Sequence, residues 1–280
     1  MEVTTKPTHG IELDTSLVKK LLVDFLRDEM HNAGFTKGVV GLSGGVDSAV
    51  VMALATEALG KDNVLAIMMP YRMSSKASLR DAQVLVNELG IMSEEVDISA
   101  MVDMYLQAYP DSDNVRKGNL MARQRMIVLY DISARDNALV IGTSNKTELL
   151  LGYGTLFGDT ASALNPIGDL YKSQVWQLAA ALGIPKQIID KKPTADLWEG
   201  QTDEGELGFT YKQVDELLYH MIDERHTPEE LVELGFDTAF IEKVKRLVQR
   251  NQYKRRPPLI AKVSHRTLNV DFRYARDWGI

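Results

Sequence analysis

Four short apolar runs, at residues 38–42, 64–69, 95–98 and 138–142, recur about every 30 residues with helix-like segments between them. A parallel partner strand needs a crossover long enough to bring the chain back to its starting edge, and a helix is the usual crossover. The rhythm therefore predicts an α/β fold: a parallel β-sheet with helices on both faces, and a helical C-terminal part. Ligands of such sheets bind beyond the carboxyl ends of the strands. Three of those ends carry chemistry here. They are Gly41-Leu42-Ser43-Gly44-Gly45-Val46-Asp47-Ser48, Met69-Pro70-Tyr71-Arg72 and Thr143-Ser144-Asn145-Lys146-Thr147-Glu148.

The intervening segments read as follows. Leu17, Leu21 and Phe25, with Val18, Leu22 and Leu26, predict an amphipathic helix over about 14–32, capped by Asp14 or Thr15 and ended at Gly34. Further helices are expected from Ala49 to Gly60, from Ser74 or Ser75 to Leu89, and over 99–109, 118–134 and 170–182. Arg123 and Arg125, two apart on the 118–134 helix, point in different directions. Residues 191–208 lack periodicity and carry Asp196, Glu199, Asp203, Glu204 and Glu206, which reads as a mobile lid. Helices near 211–224, 227–234 and 237–250 follow, then an irregular tail with Pro257-Pro258. The chain shows no internal repeat, and a single domain over 1–280 is expected.

The first turn is the most specific. A strand feeding two glycines into a helix N-terminus makes an anion site, since unpaired N–H groups and the helix dipole converge there. Ser43 and Ser48 can add hydroxyl donors. Asp47 would repel a bare phosphate and makes sense with a divalent cation such as Mg²⁺ between them. A Walker loop is excluded because no Gly-Lys-Ser/Thr ending is present, and a G-x-G-x-x-G fingerprint is absent. Lys172 sits in the first turn of its helix, where the dipole disfavours it, and so suggests a ligand.

Composition removes several classes. The chain has no cysteine, which excludes disulfides, thiolate metal sites and cysteine nucleophiles. The five histidines are scattered without metal-ligand spacing and read as surface or packing residues. No apolar run approaches the ~20 residues needed to span a bilayer, and residues 1–15 lack a signal-peptide layout, so a cytoplasmic address without membrane contact is expected. Net charge is −7, yet from residue 240 onward eleven Lys/Arg face three acids, a local net of +8 that suggests a polyanion site.

The Ser43-to-Ser48 string resembles the pyrophosphate loop of the N-type ATP pyrophosphatases, whose Rossmann-like adenine nucleotide alpha hydrolase fold is then expected. From about residue 15 onward the chain resembles the ammonia-dependent NAD synthetases. The resemblance rests on the loop, on Gly118-Asn119-Leu120-Met121-Ala122-Arg123, on residues 142–148, on Tyr153 to Asp159, on Lys191-Lys192-Pro193-Thr194-Ala195-Asp196-Leu197 and on Asp203-Glu204-Gly205-Glu206-Leu207-Gly208. It implies amidation of deamido-NAD with ammonia, by way of an NAD-adenylate, with ATP split to AMP and pyrophosphate.

By similarity, residues Gly41, Leu42, Ser43, Gly44, Gly45, Val46, Asp47 and Ser48, with Thr143, Lys172 and Thr194, hold ATP. Asp47 and Glu148 bind Mg²⁺. Arg123, Tyr253 and Lys254 hold deamido-NAD. Asp47 and Lys172 act in catalysis, and Asp159 is assigned to orienting ammonia or deprotonating ammonium. A homodimer is implied, with the helices at 14–32 and 118–134 as candidate contacts.

The chain departs from the ammonia-dependent pattern at Leu156 and Ala163, where that segment looks like the glutamine-dependent enzymes. Met68 replaces an arginine, with Arg72 as a substitute. The nitrilase-type glutaminase needs a cysteine nucleophile, so free ammonia is the direct nitrogen source expected, with supply by a separate glutaminase subunit as the alternative. Two other readings share the loop. A tRNA-modifying adenylase would use the basic C-terminal third as an RNA surface, against which the overall negative charge and the lack of cysteine weigh. A non-catalytic nucleotide sensor would have little use for two separated carboxylates able to hold a metal.

Overall fold

The structure, a computed structural model, describes residues 10–194, 196, 198, 201–268, 271 and 272. Ala195, Leu197 and Glu199 of the expected lid, and Arg273, Arg276 and Asp277 of the basic tail, lie outside the described residues. Four strands, β1 (Lys37–Gly41), β2 (Val64–Met68), β3 (Met92–Glu95) and β4 (Ala138–Val140), form one parallel sheet in the order β3-β2-β1-β4. The helices in chain order are α1 (Thr15–Asn32), α2 (Val46–Leu59), α3 (Lys76–Leu89), α4 (Ser99–Ala108), α5 (Asn114–Asp136) and α6 (Lys146–Leu151). They continue as α7 (Lys172–Ala181), α8 (Lys186–Ile189), α9 (Asp203–Leu207), α10 (Tyr211–Leu218), α11 (Pro228–Glu233) and α12 (Thr238–Arg250).

Strand alternation sends neighbouring residues to opposite faces. Val40 joins a core with Val50, Leu54, Val175 and Leu178, from α2 and α7, while Val39 joins another with Met121, Val128 and Ile132 of α5. Both faces are therefore covered, which is why the strands read as unbroken apolar runs. Helix α2 is apolar nearly all round and is buried between the sheet, α1 and α7. A third core holds Leu151, Val214, Leu217, Leu218, Leu231 and Ile241 and unites α6 with α10, α11 and α12.

Three expectations need correction. The apolar run at 95–98 predicts the third strand, yet the paired residues are Met92–Glu95. β3 is a sheet edge with no fully buried residue, so polar side chains suffice there, and Val96 and Ile98 instead donate backbone hydrogen bonds to Met68 and Pro70. Helix α5 begins earlier than the apolar pattern, because Asp113 caps it by accepting from the Arg116 N–H.

The structureless reading of 191–208 fails at α9, which Thr202 caps by accepting from the Gly205 N–H. Its approach is tethered as well. Lys191 donates to the Gly44 carbonyl, Ser78 and Asp81 at 3.0–3.2 Å, and Asp196 accepts from the Ser75 N–H at 2.8 Å.

Candidate active site

The site begins where β1 ends. Gly44 has φ +76°, and a Cβ there would lie 2.1 Å from the Ser78 carbonyl oxygen of α3, so only glycine fits. Gly45 is the N-cap of α2 and no side chain caps that helix, which leaves its positive end for a ligand. The two serines chiefly brace the turn. Ser48 is buried, donates to the Gly45 carbonyl at 3.0 Å and accepts from the Ser43 N–H at 3.2 Å, while the two hydroxyls lie 3.1 Å apart.

In the first turn of α2, Asp47 meets two elements from far along the chain. Its Oδ1 accepts from Asn145 Nδ2 at 2.9 Å, and its Oδ2 is in close contact with Lys172 Nζ. Lys172 Nζ also lies 3.5 Å from Glu148 Oε1 and 5.1 Å from the centre of the Tyr211 ring. The lysine is 2% exposed. Burial opposes its charge, but Asp47 and then Glu148 outweigh burial and hold its pKa above the ordinary lysine value. Burial, followed by the charge of Asp47, pushes Glu148 up to about 8 against the pull of Lys172. Two carboxylates thus share one ammonium, and Glu148 holds a proton more tightly than an ordinary carboxylate does.

Local sequence explains the convergence. Asn145 and Glu148 form a reciprocal capping box at α6, each side chain bonded to the other's backbone N–H. Glu148 therefore caps a helix and faces the site at once. Lys172 is the first residue of α7, and its N–H donates to Thr147 Oγ1 at 3.0 Å.

Beneath them lies Asp215, fully buried on α10. It accepts from Thr147 Oγ1, Ser173 Oγ and the Ser173 N–H at 2.5–2.7 Å. Asp203 accepts from the hydroxyls of Tyr153 and Tyr211, both at 3.0 Å, and its charge bears on Lys172. Sequence reading placed Asp203 only in the expected lid and in a block of the family resemblance, and gave Asp215 no role. The available signal for Asp215 was an acid on the apolar face of a helix, flanked by Val214 and Leu217.

A second cluster surrounds residues 152–159. Lys254 Nζ donates to the carbonyls of Gly152 and Gly154 at 2.7 and 2.8 Å, and burial draws its pKa down while Asp159 holds it up. Arg123 donates two 3.3 Å bonds to the Leu156 carbonyl. Asp159 accepts from the Thr155 N–H at 2.8 Å, and burial raises its pKa. Arg125 diverges from Arg123 as expected, donating to the Met69 carbonyl at 3.1 Å.

The sequence-nominated residues therefore fall into two groups. Gly41 to Ser48, Glu148 and Lys172 come together, with Thr143 half-buried just past β4. Arg123, Asp159 and Lys254 meet at the 152–159 loop, beside an exposed Tyr253. Thr194 accepts from the Asp196 N–H at 3.1 Å, on the segment bonded to the start of α3.

Three readings change. Arg72 is engaged by Asp103, not held free for a phosphate. Part of the basic C-terminal third is engaged by carbonyls and acids: Lys243 by Leu207, Lys254 and Arg255 by residues 149–154, Lys262 by Asp271. The histidines are not all scattered, since His220, Glu224 and His226 bring their ligating atoms within 4.8 Å of one another.

Comparisons with known proteins point to one family. The model of the NAD synthase family matches residues 18–258. A Chlorobaculum parvum protein described as an NH(3)-dependent NAD(+) synthetase is 56% identical over 270 residues, 96% of this chain and 98% of that one. A Fusobacterium nucleatum protein of the same description is 51% identical over 91% of this chain and 99% of its own. Among solved structures, the NH3-dependent NAD synthetase of Campylobacter jejuni superposes with a TM-score of 0.77 at 38% identity, over 89% of this chain and 100% of that one. An NMN synthetase from Francisella tularensis gives 0.80 at 34% identity, over 89% and 99%.

Proposed function

The chain belongs to the NAD synthase family, and on that premise we infer that it amidates deamido-NAD with ammonia, using ATP and releasing AMP and pyrophosphate. The nicotinate carboxylate attacks the α-phosphorus of ATP to give an NAD-adenylate, and ammonia then displaces AMP. A carboxylate acylates poorly until its oxygen becomes a good leaving group, which is what adenylation achieves. The observation that carries the reading is Lys172 held between Asp47 and Glu148 at the uncapped start of α2.

The glycine turn, Thr143 and Thr194 are proposed to cradle ATP, with backbone N–H groups facing the phosphates. Lys172 is a fixed positive charge for the developing pyrophosphate, placed before the reaction and so needing no rearrangement during it. Asp47 and Glu148 are suited to Mg²⁺: both are carboxylates beside Lys172, and a cation there would displace the proton that burial, and then the charge of Asp47, lead Glu148 to hold. Bound there, Mg²⁺ would neutralise charge on the departing phosphates.

Arg123, Tyr253 and Lys254 are proposed to hold deamido-NAD. Asp159, an exposed residue whose carboxylate accepts from the Thr155 N–H and whose pKa is raised by local desolvation, is suited to accept a proton from ammonium. A homodimer is proposed through α5, one of the two helices the sequence nominates, and the neighbouring α4 in place of α1: Met104 and Val115 are 74% and 66% exposed, and Tyr105, Ile127 and Tyr130 are exposed as well.

The deciding assay supplies ATP, Mg²⁺ and ammonia or glutamine, with deamido-NAD or the corresponding mononucleotide acid. NAD, AMP and pyrophosphate are expected with ammonia. Release of ADP, or preference for the mononucleotide as the name of the Francisella neighbour would suggest, overturns the assignment. Lys172→Met is expected to lower kcat by ~10²–10³-fold, as loss of one preorganised donor does elsewhere.

A further inference from the structure

Helix α10 does not end where its hydrogen bonding changes. It runs into a π-helical turn, Tyr219–Asp223, and such turns collect at functional sites. The chain then passes through Arg225 at φ +61°, a left-handed conformation that is uncommon outside glycine. The His226 N–H returns to the His220 carbonyl at 3.0 Å and closes the loop. The result places His220, Glu224 and His226 together, with one ligating atom from each within 4.8 Å of the others.

The catalytic chemistry does not use these three, and although the His220 ring packs on Tyr219, His226 and Phe236, ring packing does not satisfy imidazole nitrogens. The Nδ1 atoms of both His220 and His226 are shielded from solvent and have no hydrogen-bond partner. A buried imidazole nitrogen without a partner is costly and calls for an ion or a proton donor. Two such atoms in one loop, with their rings 5.3 Å apart, are an independent sign of a missing ligand. Glu224 receives the Tyr219 hydroxyl at 2.6 Å on Oε1, which orients the carboxylate and leaves its other oxygen available. A cavity of about 260 Å³ borders His226.

We propose that His220, Glu224 and His226 form a site for one borderline divalent cation of the Zn²⁺ class, with a fourth position for water. Two imidazoles and one carboxylate suit Zn²⁺ better than Mg²⁺, which prefers oxygen ligands. Bonds of ~2.0–2.2 Å set tetrahedral ligand atoms ~3.4 Å apart, so separations of up to 4.8 Å close by up to ~1.4 Å on binding. The ion clips the π-helical turn to the residue before Thr227, the cap of α11. It belongs to the C-terminal helical core and is separate from Asp47 and Glu148.

The test saturates the full-length protein with Mg²⁺ and titrates it with Co²⁺, reading visible d–d absorption, then displaces Co²⁺ with Zn²⁺. One equivalent of tetrahedral Co²⁺ is expected, and Zn²⁺ raises the Tm. Loss of an outer partner alone weakens metal sites ~10–100-fold, so His226→Ala and His220→Ala are expected to weaken binding at least ~100-fold. Glu224→Gln keeps the shape of the loop, guards against misfolding of the histidine variants, and should weaken binding at least ~10-fold. His31→Ala should leave it unchanged. No visible band in the wild type, or a band of equal strength in Glu224→Gln and His226→Ala, overturns the proposal.

Discussion

Lys172 has Asp47 against it and Glu148 3.5 Å away, in a setting where burial alone would discharge it. That arrangement gives Glu148 a testable titration. Its folded pKa, about 8, lies above the ordinary carboxylate value of 4.5, so the folded protein holds a proton that the unfolded chain has released. Its contribution to stability is complete below about pH 4.5 and declines as pH rises to about 8. In metal-free protein, Glu148→Gln should therefore flatten the fall of Tm across that window. In the wild type, Mg²⁺ affinity should tighten as pH approaches 8, because the metal displaces the proton. A Tm profile unchanged by the substitution would remove this account. At this scale the sequence was informative where a residue broke a local rule: Lys172 opposes a helix dipole and Asp47 opposes a phosphate. Asp215 broke a rule too, an acid on an apolar helix face, but its purpose depends on Thr147 and Ser173, brought to it only by the packing of α10 on α6 and α7.

Among the elements, the turn into α2 is the least replaceable. Gly44→Ala must place a methyl 2.1 Å from the Ser78 carbonyl at a positive φ, so α3 or the turn must move. The left-handed strain alone is worth ~1–3 kcal/mol, and the clash adds to it. Gly183→Ala is the control, with φ +73° and open space around it. Urea unfolding should show the larger loss for Gly44→Ala, and the KM for ATP should rise only in that variant; equal losses would argue against close packing of the turn on α3. The buried strands and capped helices were legible because both faces of the sheet are covered and Asp14, Ser75 and Thr227 cap where the pattern starts. β3 was misplaced because an edge strand needs no apolar face, and α9 was missed because five residues are too few to show a period.

For the molecule as a whole, the apolar face of α4 and α5 predicts association. Ile127→Asp with Tyr130→Asp, one turn apart on α5, should shift the protein from dimer to monomer in light scattering while leaving the far-UV spectrum unchanged. A wild type that is already monomeric at micromolar concentration would refute the interface. The reaction was legible through several separated blocks in order, whereas the His220, Glu224 and His226 cluster was not, since a π-helical turn and a left-handed residue break the spacing by which ligands are recognised. The parallel sheet has one more consequence, for how the protein is made. The strand that opens the site pairs with β4, Lys37 against Ala138, and the partners of Asp47 lie 98 and 125 residues further along. Such distant pairings slow folding, because a long stretch of chain must be ordered before any contact rewards it. A nascent chain therefore carries its glycine turn without these partners until residue 172 has left the ribosome, so the site is assembled late in synthesis.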